Sequence, residues 1–303
     1  MRSLINIKAM IKSLKQKGLM IDDEQRLRKY INFYNYHTLI DGYSDIFLDS
    51  QKQNRYLKDA SSNQIIDFYK FDINFSNHLL RFLLRIEKKL NTLLAYTIID
   101  TYQITDKCLL KLNPDYLKKK VFKNLDTTSA DYTHETFFGQ LTKYLKLNEE
   151  TKKYEVKNAK GDMERWKEVP LDLMCLTWSF SVTFTAFCSL DELLADQITS
   201  QFGLGSKNTS GFIDFINNCI YLRNIISHGF SLYNAKIKYQ SVALNKLYQD
   251  IFNIKVKTIT LYEMLKLIEF FTNEKDFVSK TLYHFNKTSI NDQFKQRINF
   301  LKK

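Results

Sequence analysis

Helix-breaking residues are scarce in this chain. Among its 303 residues there are 8 glycines and only 2 prolines. Because these two residues end helices and build the turns of sandwich and barrel folds, their scarcity predicts long helices joined by short polar loops. Hydrophobic residues make up 44% and charged residues 26% of the chain, which supplies a core and excludes a disordered composition. The predicted fold class is therefore all-α.

The balance of charge indicates the kind of partner. The formal net charge is +12, and aromatic residues make up 14% of the chain. A basic surface is complementary to a polyanion, and exposed tyrosine beside lysine suits the stacking of unpaired RNA bases. A solvated surface carries the same charge without any such partner. Composition therefore favours nucleic-acid binding but does not establish it.

The cysteines and the apolar segments indicate the compartment. None of the four cysteines belongs to a C-x-x-C pair, so we expect neither a structural zinc site nor a secreted disulfide framework. The N-terminus lacks the apolar core of a signal peptide. Residues 173–190 are free of charge, but their six hydroxyl side chains favour a buried core element over a membrane span. We expect a cytoplasmic protein with no membrane partner, metal or small-molecule cofactor. The cysteines are Cys108, Cys175, Cys188 and Cys219.

The patterning predicts one domain over residues 1–303 with three parts. Residues 1–60 read as a basic helix, a break at Gly18, a second helix from near Asp22 or Asp23, and an aromatic cluster. Residues 62–235 form a helical core, interrupted by a polar, loop-like insertion at about 105–165. Residues 236–303 add further helices. Pro170 precedes a segment whose alternation is strand-like on its period alone, and we interpret it as helical.

Residues 64–104 read as one long helix or two abutting ones. Leucine and isoleucine recur at helical spacing along one face. The opposite face is basic, which is either an ordinary solvated face or a surface that contacts RNA. Its basic residues are Arg81, Arg85, Lys88 and Lys89.

Residues 209–228 form the helix that carries the candidate chemistry. One apolar stripe consists of Phe212, Phe215, Cys219, Leu222 and Ile226. A separate polar face is formed by Asn217, Tyr221, Asn224 and His228, with Arg223 and Ser227 on the flank between them. Gly229 follows directly, where a glycine that ends a helix is expected.

Arg223 and His228 form an R-x4-H spacing on this helix. RNA cleavage without a metal needs a group that transfers a proton and a positive charge on the phosphate. Histidine supplies the first near neutral pH, and arginine supplies the second with a bidentate fork. The spacing by itself is equally compatible with a histidine that caps a helix and an arginine that pairs with a carboxylate.

The sequence around Arg223 and His228 supports the ribonuclease interpretation of this spacing. The octapeptide at 222–229, LRNIISHG, resembles the signature of HEPN ribonucleases, in which an Arg-polar-x-x-x-His helix carries the catalytic pair. The segments at 17–21, 30–36 and 42–43 are similar to the opening of the AbiD/AbiF-like abortive-infection family. The segment at 85–90 looks like the central helix of that family, and Pro170-Leu171 matches its proline-containing region. The resemblance spans about residues 10–235.

This resemblance implies a HEPN-like helical bundle and a toxin that cleaves RNA in phage defence. Arg223 would bind the scissile phosphate, His228 would transfer the proton, and Asn224 and Ser227 would orient either one. Because only one R-x4-H occurs, a homodimer with a composite site is expected, together with RNA as substrate and a small noncoding RNA as regulator. Lower-ranked RNA contacts are Arg85, Lys88 and Lys89. The alternatives are a non-catalytic RNA-binding module and a dimeric regulatory or interaction protein.

Overall fold

The computed structural model describes residues 7–52, 54–102, 146–148, 150, 153–157, 162–166, 171–205 and 208–295, and these are mostly helical. The N-terminal helices are α1 (Ile7–Gln16), α2 (Glu24–Tyr34), α3 (Ser44–Phe47) and α4 (Ser62–Thr101), with a π-helical turn at His37–Asp41. Three strands follow: β1 (Lys146–Asn148), β2 (Lys153–Lys157) and β3 (Met163–Trp166). The later helices are α5 (Leu171–Cys175), α6 (Phe180–Cys188), α7 (Glu192–Ser200), α8 (Thr209–Ser227), α9 (Val242–Phe252), α10 (Leu261–Thr272), α11 (Phe277–Asn286) and α12 (Asp292–Lys295).

The described residues fall into two compact units. The first unit takes its residues from 1–81, 221–237 and 260–303, and the second unit from 82–220 and 238–259. In the first unit, Gly18 at a φ of 92° ends α1, as predicted. Asp23 then caps α2 by accepting a 2.9 Å hydrogen bond from the Arg26 amide.

The core of the first unit is rich in stacked and edge-on aromatic rings. Phe68 is fully buried, with its ring centroid 5.2 Å from that of Tyr233 and 6.3 Å from that of Phe285. Near the chain's C-terminal helices, Phe47 and Phe294 pack with centroids 4.8 Å apart. All five rings are buried, so this core joins residues from both ends of the sequence.

The second unit is built around the apolar faces of α4 and α8. Phe212 on α8 packs against Phe187 and Phe202, with centroid separations of 5.8 and 4.8 Å. A buried hydrogen bond from the Thr183 hydroxyl to the side-chain oxygen of Asn91 ties α6 to α4. Thr183 and Asn91 therefore satisfy each other inside this core, as burial of polar groups requires.

The predicted insertion at about 105–165 lies largely outside the described residues, as do Cys108 and Pro170. Its described part forms a three-stranded antiparallel sheet in the order β1-β2-β3, with Lys146 opposite Glu155 and Tyr154 opposite Trp166. The sequence analysis interpreted this region as loop. Strands of three to five residues are too short for alternation to stand out from loop.

The long-helix predictions are confirmed. Helix α4 is one continuous helix of 40 residues. The segment after 170, interpreted as helical throughout, forms two helices, α5 and α6, separated by residues 176–179; Ser179 caps α6 by accepting a hydrogen bond from the Val182 amide at 3.4 Å. No helix among the described residues has the length and apolar character that crossing a membrane demands.

Candidate functional site

Helix α8 is firmly packed over its first three turns. Gly211 brings the backbone of α8 against α9, because a Cβ at this position would lie 2.5 Å from the Ala243 carbonyl oxygen. Asn218 is fully buried and exchanges two hydrogen bonds with the backbone of Tyr239, donating to its oxygen at 2.8 Å and accepting from its nitrogen at 3.0 Å. A third bond runs from Asn218 to the Asp214 carbonyl oxygen at 2.9 Å. These contacts belong to the second unit.

The C-terminal end of α8 is closed by glycine, as predicted. Gly229 has a φ of 70°, a region that glycine enters without steric cost. Its amide donates to the Ile226 carbonyl at 3.0 Å, and the Phe230 amide donates to the Ile225 carbonyl at 3.1 Å. This pair of bonds is the Schellman motif, which stops the helix and satisfies its last carbonyls. His228 therefore stands at a defined helix end rather than in a frayed one.

Arg223 and His228 lie on this last stretch of α8 and at its C-cap. The Arg223 guanidinium is partly buried and donates to the side-chain oxygen of Asn224 at 3.2 Å. The alternative interpretation expects Arg223 to pair with a carboxylate, and no such pair is found within the described part of the chain. The His228 side chain is exposed, and within the same part of the chain it makes no hydrogen bond. Among the described residues, neither side chain is paired with a carboxylate.

The exposed surface beside His228 also carries an aromatic ring. Phe230 is 67% exposed, and its ring centroid lies 6.2 Å from that of His228. The Phe230 amide is fixed by the bond that closes the helix, so the ring projects from a rigid backbone position. Ser227 is exposed on the same turn. The end of α8 presents a cation, an imidazole, a hydroxyl and a ring.

A buried carboxylate holds the segment that follows this end. Asp72 on α4 is 1% exposed and accepts hydrogen bonds from the amides of Leu232 at 3.0 Å and Tyr233 at 3.1 Å. It also accepts a hydrogen bond from the Tyr43 hydroxyl at 2.7 Å. The Tyr233 hydroxyl in turn donates to Asp45. Asp72 therefore fixes the backbone four residues beyond His228.

The surroundings of Asp72 shift the pKa of its carboxyl group. Burial raises the pKa of this carboxyl to about 6, although the hydrogen bonds from Tyr43, Leu232 and Tyr233 act in the opposite direction. Desolvation penalises the charged form, and three donors only partly offset it. Asp72 thus titrates at a mildly acidic pH while it holds the loop.

The remaining predicted residues lie on the second unit. Arg85, Lys88 and Lys89 are all exposed on α4, as expected for its basic face. The Arg85 guanidinium lies 5.7 Å from the centroid of the Phe82 ring, and the Lys89 ammonium lies 4.3 Å from that of Phe202. Their role in RNA contact stays a prediction.

The described cysteines are buried or partly buried and unpaired. Burial raises the pKa of the Cys175 and Cys219 thiols well above its ordinary value, so neither is a thiolate nucleophile at neutral pH. Among the described residues, no group of three or more His, Cys, Asp or Glu side chains is arranged to hold a metal ion.

Two structurally important residues, Asn218 and Asp72, were not predicted from the sequence, although the same sequence pattern indicates both. Asn218 stands at helical spacing between Phe215 and Leu222, inside the apolar stripe of α8. Asp72 occupies the equivalent place on α4, between Phe68 and Phe75. A polar residue within an apolar stripe indicates a buried group that needs a partner, because an unpaired one would be costly.

A comparison with known families gives a match. The sequence model of the family described as Abi-like protein matches residues 29–234, which is more than half of the chain. The chain belongs to the Abi-like protein family. No curated protein and no solved structure matches it significantly.

Membership in the Abi-like family points to abortive-infection phage defence. The matched range takes in the aromatic residues of α2, the Asp72 anchor and the whole of α8 with its Arg223–His228 end. It stops at 234, just after the segment that Asp72 holds. The family match therefore covers the complete candidate site of this Abi-like protein.

Proposed function

We propose that this Abi-like protein is a metal-independent, HEPN-type endoribonuclease that acts as a toxin in phage defence. The observation that carries the proposal is the end of α8. Arg223 and His228 both lie at the C-terminal end of this helix, which Gly229 fixes, and neither has a carboxylate partner in the described residues. An arginine held only by a neutral amide keeps its charge available to a phosphate.

The chemistry follows from the two side chains. The 2′-hydroxyl oxygen attacks the adjacent phosphorus, and the bond from phosphorus to the 5′-oxygen breaks. A histidine accepts the 2′ proton, and a histidine donates a proton to the departing 5′-oxygen. Arg223 stabilises the negative charge that builds up on the phosphate oxygens. The products are a 2′,3′-cyclic phosphate and a 5′-hydroxyl end.

A homodimer provides both proton transfers at once. The chain has a single R-x4-H, so one chain supplies one imidazole. Two copies with their α8 ends facing each other would place two Arg223–His228 pairs on one phosphate. One His228 then acts as base and the other as acid. The net charge of +12 suits both an RNA substrate and a lasting RNA regulator.

The test compares His228→Ala with His284→Ala. His284 is a matched control because it is also exposed and also lies in the last turn of a helix, α11. Purified proteins are incubated with labelled RNA in EDTA, and the ends are mapped. We expect the wild type and His284→Ala to produce cyclic-phosphate ends, and His228→Ala to produce none.

Two outcomes would contradict the assignment. Cleavage by His228→Ala in EDTA at the wild-type rate would show that another site performs it. RNA that copurifies with the wild type, without any new ends, would favour the non-catalytic RNA-binding alternative. Light scattering of the purified protein tests the dimer, and a monomer at all concentrations would remove the composite site.

A further inference from the structure

A cluster of aromatic rings lies exposed at the C-terminal end of α2. Phe33 is 79% exposed, although it is a large apolar side chain. Its ring centroid lies 4.6 Å from that of Tyr34, and Tyr34 lies 5.7 Å from Tyr30. We call Tyr30, Phe33 and Tyr34 the aromatic platform. The candidate ribonuclease chemistry makes no use of it.

The platform is rigid because its rings continue into the core. Tyr34 packs on Tyr69 with centroids 4.8 Å apart, and Tyr69 packs edge-on against Tyr43 at 5.7 Å. Tyr69 and Tyr43 are buried. Tyr43 is the residue whose hydroxyl bonds Asp72, the anchor of the segment after His228. Platform and candidate site are therefore parts of the same packed unit.

Cations surround these rings. The Lys70 ammonium lies 5.2 Å from the centroid of Tyr30, and the Arg26 guanidinium lies 5.9 Å from it. Arg26 is paired with Asp67 at 2.8 Å. Lys29 and Lys70 are exposed, and neither forms an ion pair with any of the residues that the structure describes. Two ammonium groups without an ion-pair partner among the described residues thus flank an exposed aromatic surface.

The shape of the surface suits a flat ligand. An open cavity of about 620 Å³ is present here, lined by Lys29, Tyr30, Asn32, Phe33 and Tyr34. Asn32 adds an exposed amide that can both donate and accept hydrogen bonds. Proteins bind unpaired nucleotides with aromatic rings that stack on the base, amides that hydrogen-bond to the edge of the base, and ammonium groups that contact the phosphates.

We propose that the aromatic platform is a binding subsite for single-stranded RNA, in which an unpaired base stacks on Phe33 and the flanking phosphates contact Lys29 and Lys70. The choice of RNA rather than DNA rests on the proposed function. The subsite holds the strand on the same unit as Arg223 and His228, so it contributes to affinity for RNA and not to proton transfer.

The test measures binding separately from cleavage. Full-length protein carrying His228→Ala is titrated into a fluorescent, unstructured oligouridylate of about 12 nucleotides, and anisotropy gives the dissociation constant. Phe33→Leu keeps an apolar side chain but removes the π face, and Phe33→Tyr keeps the ring. We expect Phe33→Leu to weaken binding by about tenfold or more and Phe33→Tyr to bind like the parent.

A matched control and two further probes sharpen the result. Tyr283 is 55% exposed on the same unit and has the Lys287 ammonium 4.4 Å from its ring centroid, so Tyr283→Ala removes a comparable ring elsewhere. We expect no change in the dissociation constant for Tyr283→Ala. An abasic oligoribonucleotide of the same length should bind the Phe33 variants equally. Lys29→Ala and Lys70→Ala should each reduce the salt dependence of binding.

Three results would overturn the subsite. Phe33→Leu could bind the oligouridylate as tightly as the parent. A second such result is that Phe33→Leu loses affinity for duplex RNA and for single-stranded RNA to the same extent. A Phe33 variant could change the mass of the protein in RNA-free light scattering, which would make the platform a protein interface. Thermal melting establishes that each variant is folded.

The two proposals fail independently of each other. Wild-type cleavage with normal binding by the Phe33 variants would reject the platform alone. Phe33-dependent binding without any cleavage by the wild type would reject the ribonuclease alone.

Discussion

The first three turns of α8 and its last turn are built in opposite ways. In the first part, Gly211, Phe212, Phe215 and Asn218 are buried, and the polar group among them has all its hydrogen bonds satisfied. In the last turn, the side chains are half-buried or exposed, and the Arg223 guanidinium donates to the neutral side chain of Asn224, with no carboxylate partner among the described residues. One part of the helix packs into the core, and we propose that the other offers its groups to a ligand. Substitutions along α8 should therefore separate stability from activity.

The largest loss of stability is expected at Gly211. In Gly211→Ala the new Cβ would lie 2.5 Å from the Ala243 carbonyl oxygen and 2.9 Å from the Leu247 Cβ, so α8 and α9 must move apart. Overpacking of this kind costs about 3 kcal/mol, more than the roughly 1 kcal/mol that alanine gains in helix propensity. Urea denaturation measures the difference. The control is Gly205→Ala, whose Cβ meets nothing within 4 Å among the described residues; equal effects of the two would disprove the close approach.

Asn218→Ala should rank second. It removes three hydrogen bonds, and the amide and carbonyl of Tyr239 lose their side-chain partner. We expect the free energy of unfolding to fall by about 1.5 kcal/mol, less than the net loss of about 2 kcal/mol at Gly211, since groups left without partners are costly. Asn217→Ala, at a half-buried position on the polar face, serves as the control. If both variants lose the same stability, the hydrogen bonds of Asn218 to Tyr239 and Asp214 do not stabilise the fold as their geometry indicates.

The third expected effect depends on pH and concerns Asp72, which holds the chain beyond the C-terminal end of α8. The carboxyl has a pKa of about 6 in the folded protein, above its ordinary value of 3.8. The folded state therefore binds more protons than the unfolded state between these values. The Asp72 contribution to stability is largest below the ordinary value, and it is lost as the pH rises through the folded pKa.

Comparison of Asp72→Asn with the wild type isolates this contribution. Between about pH 7 and pH 5, the wild type should gain about 1 kcal/mol relative to Asp72→Asn, because the variant has no proton to bind there. Urea unfolding at both values gives the difference between the two proteins, in which the other carboxyl groups cancel. A parallel pH dependence in both proteins would show that Asp72 keeps an ordinary pKa.

The sequence predicts helices α4 and α8 and the positions of Arg223 and His228 better than it predicts the contacts that hold these helices in place. The apolar stripes and the glycine at 229 indicate α4, α8 and the end of α8, because those signals are local. Asp72 bonds to Leu232 and Tyr233 across 160 and 161 positions in sequence, and no local pattern reports such a pairing. The polar interruption of a stripe indicates that a partner exists, but only the fold reveals which one.

The smallest effect on stability is expected at Ser227, which is exposed on the last turn of α8. Ser227→Ala should change the free energy of unfolding by no more than about 0.5 kcal/mol, because exposed helix positions contribute little beyond propensity. If Ser227 orients the phosphate or His228, cleavage should fall, yet by less than in His228→Ala, since the proton-transferring group remains. Urea denaturation and RNA cleavage on the same preparations provide both numbers. A loss of stability as large as that of Asn218→Ala would mean that the last turn of α8 is held as firmly as the first three, and the contrast between the two parts of the helix would not stand.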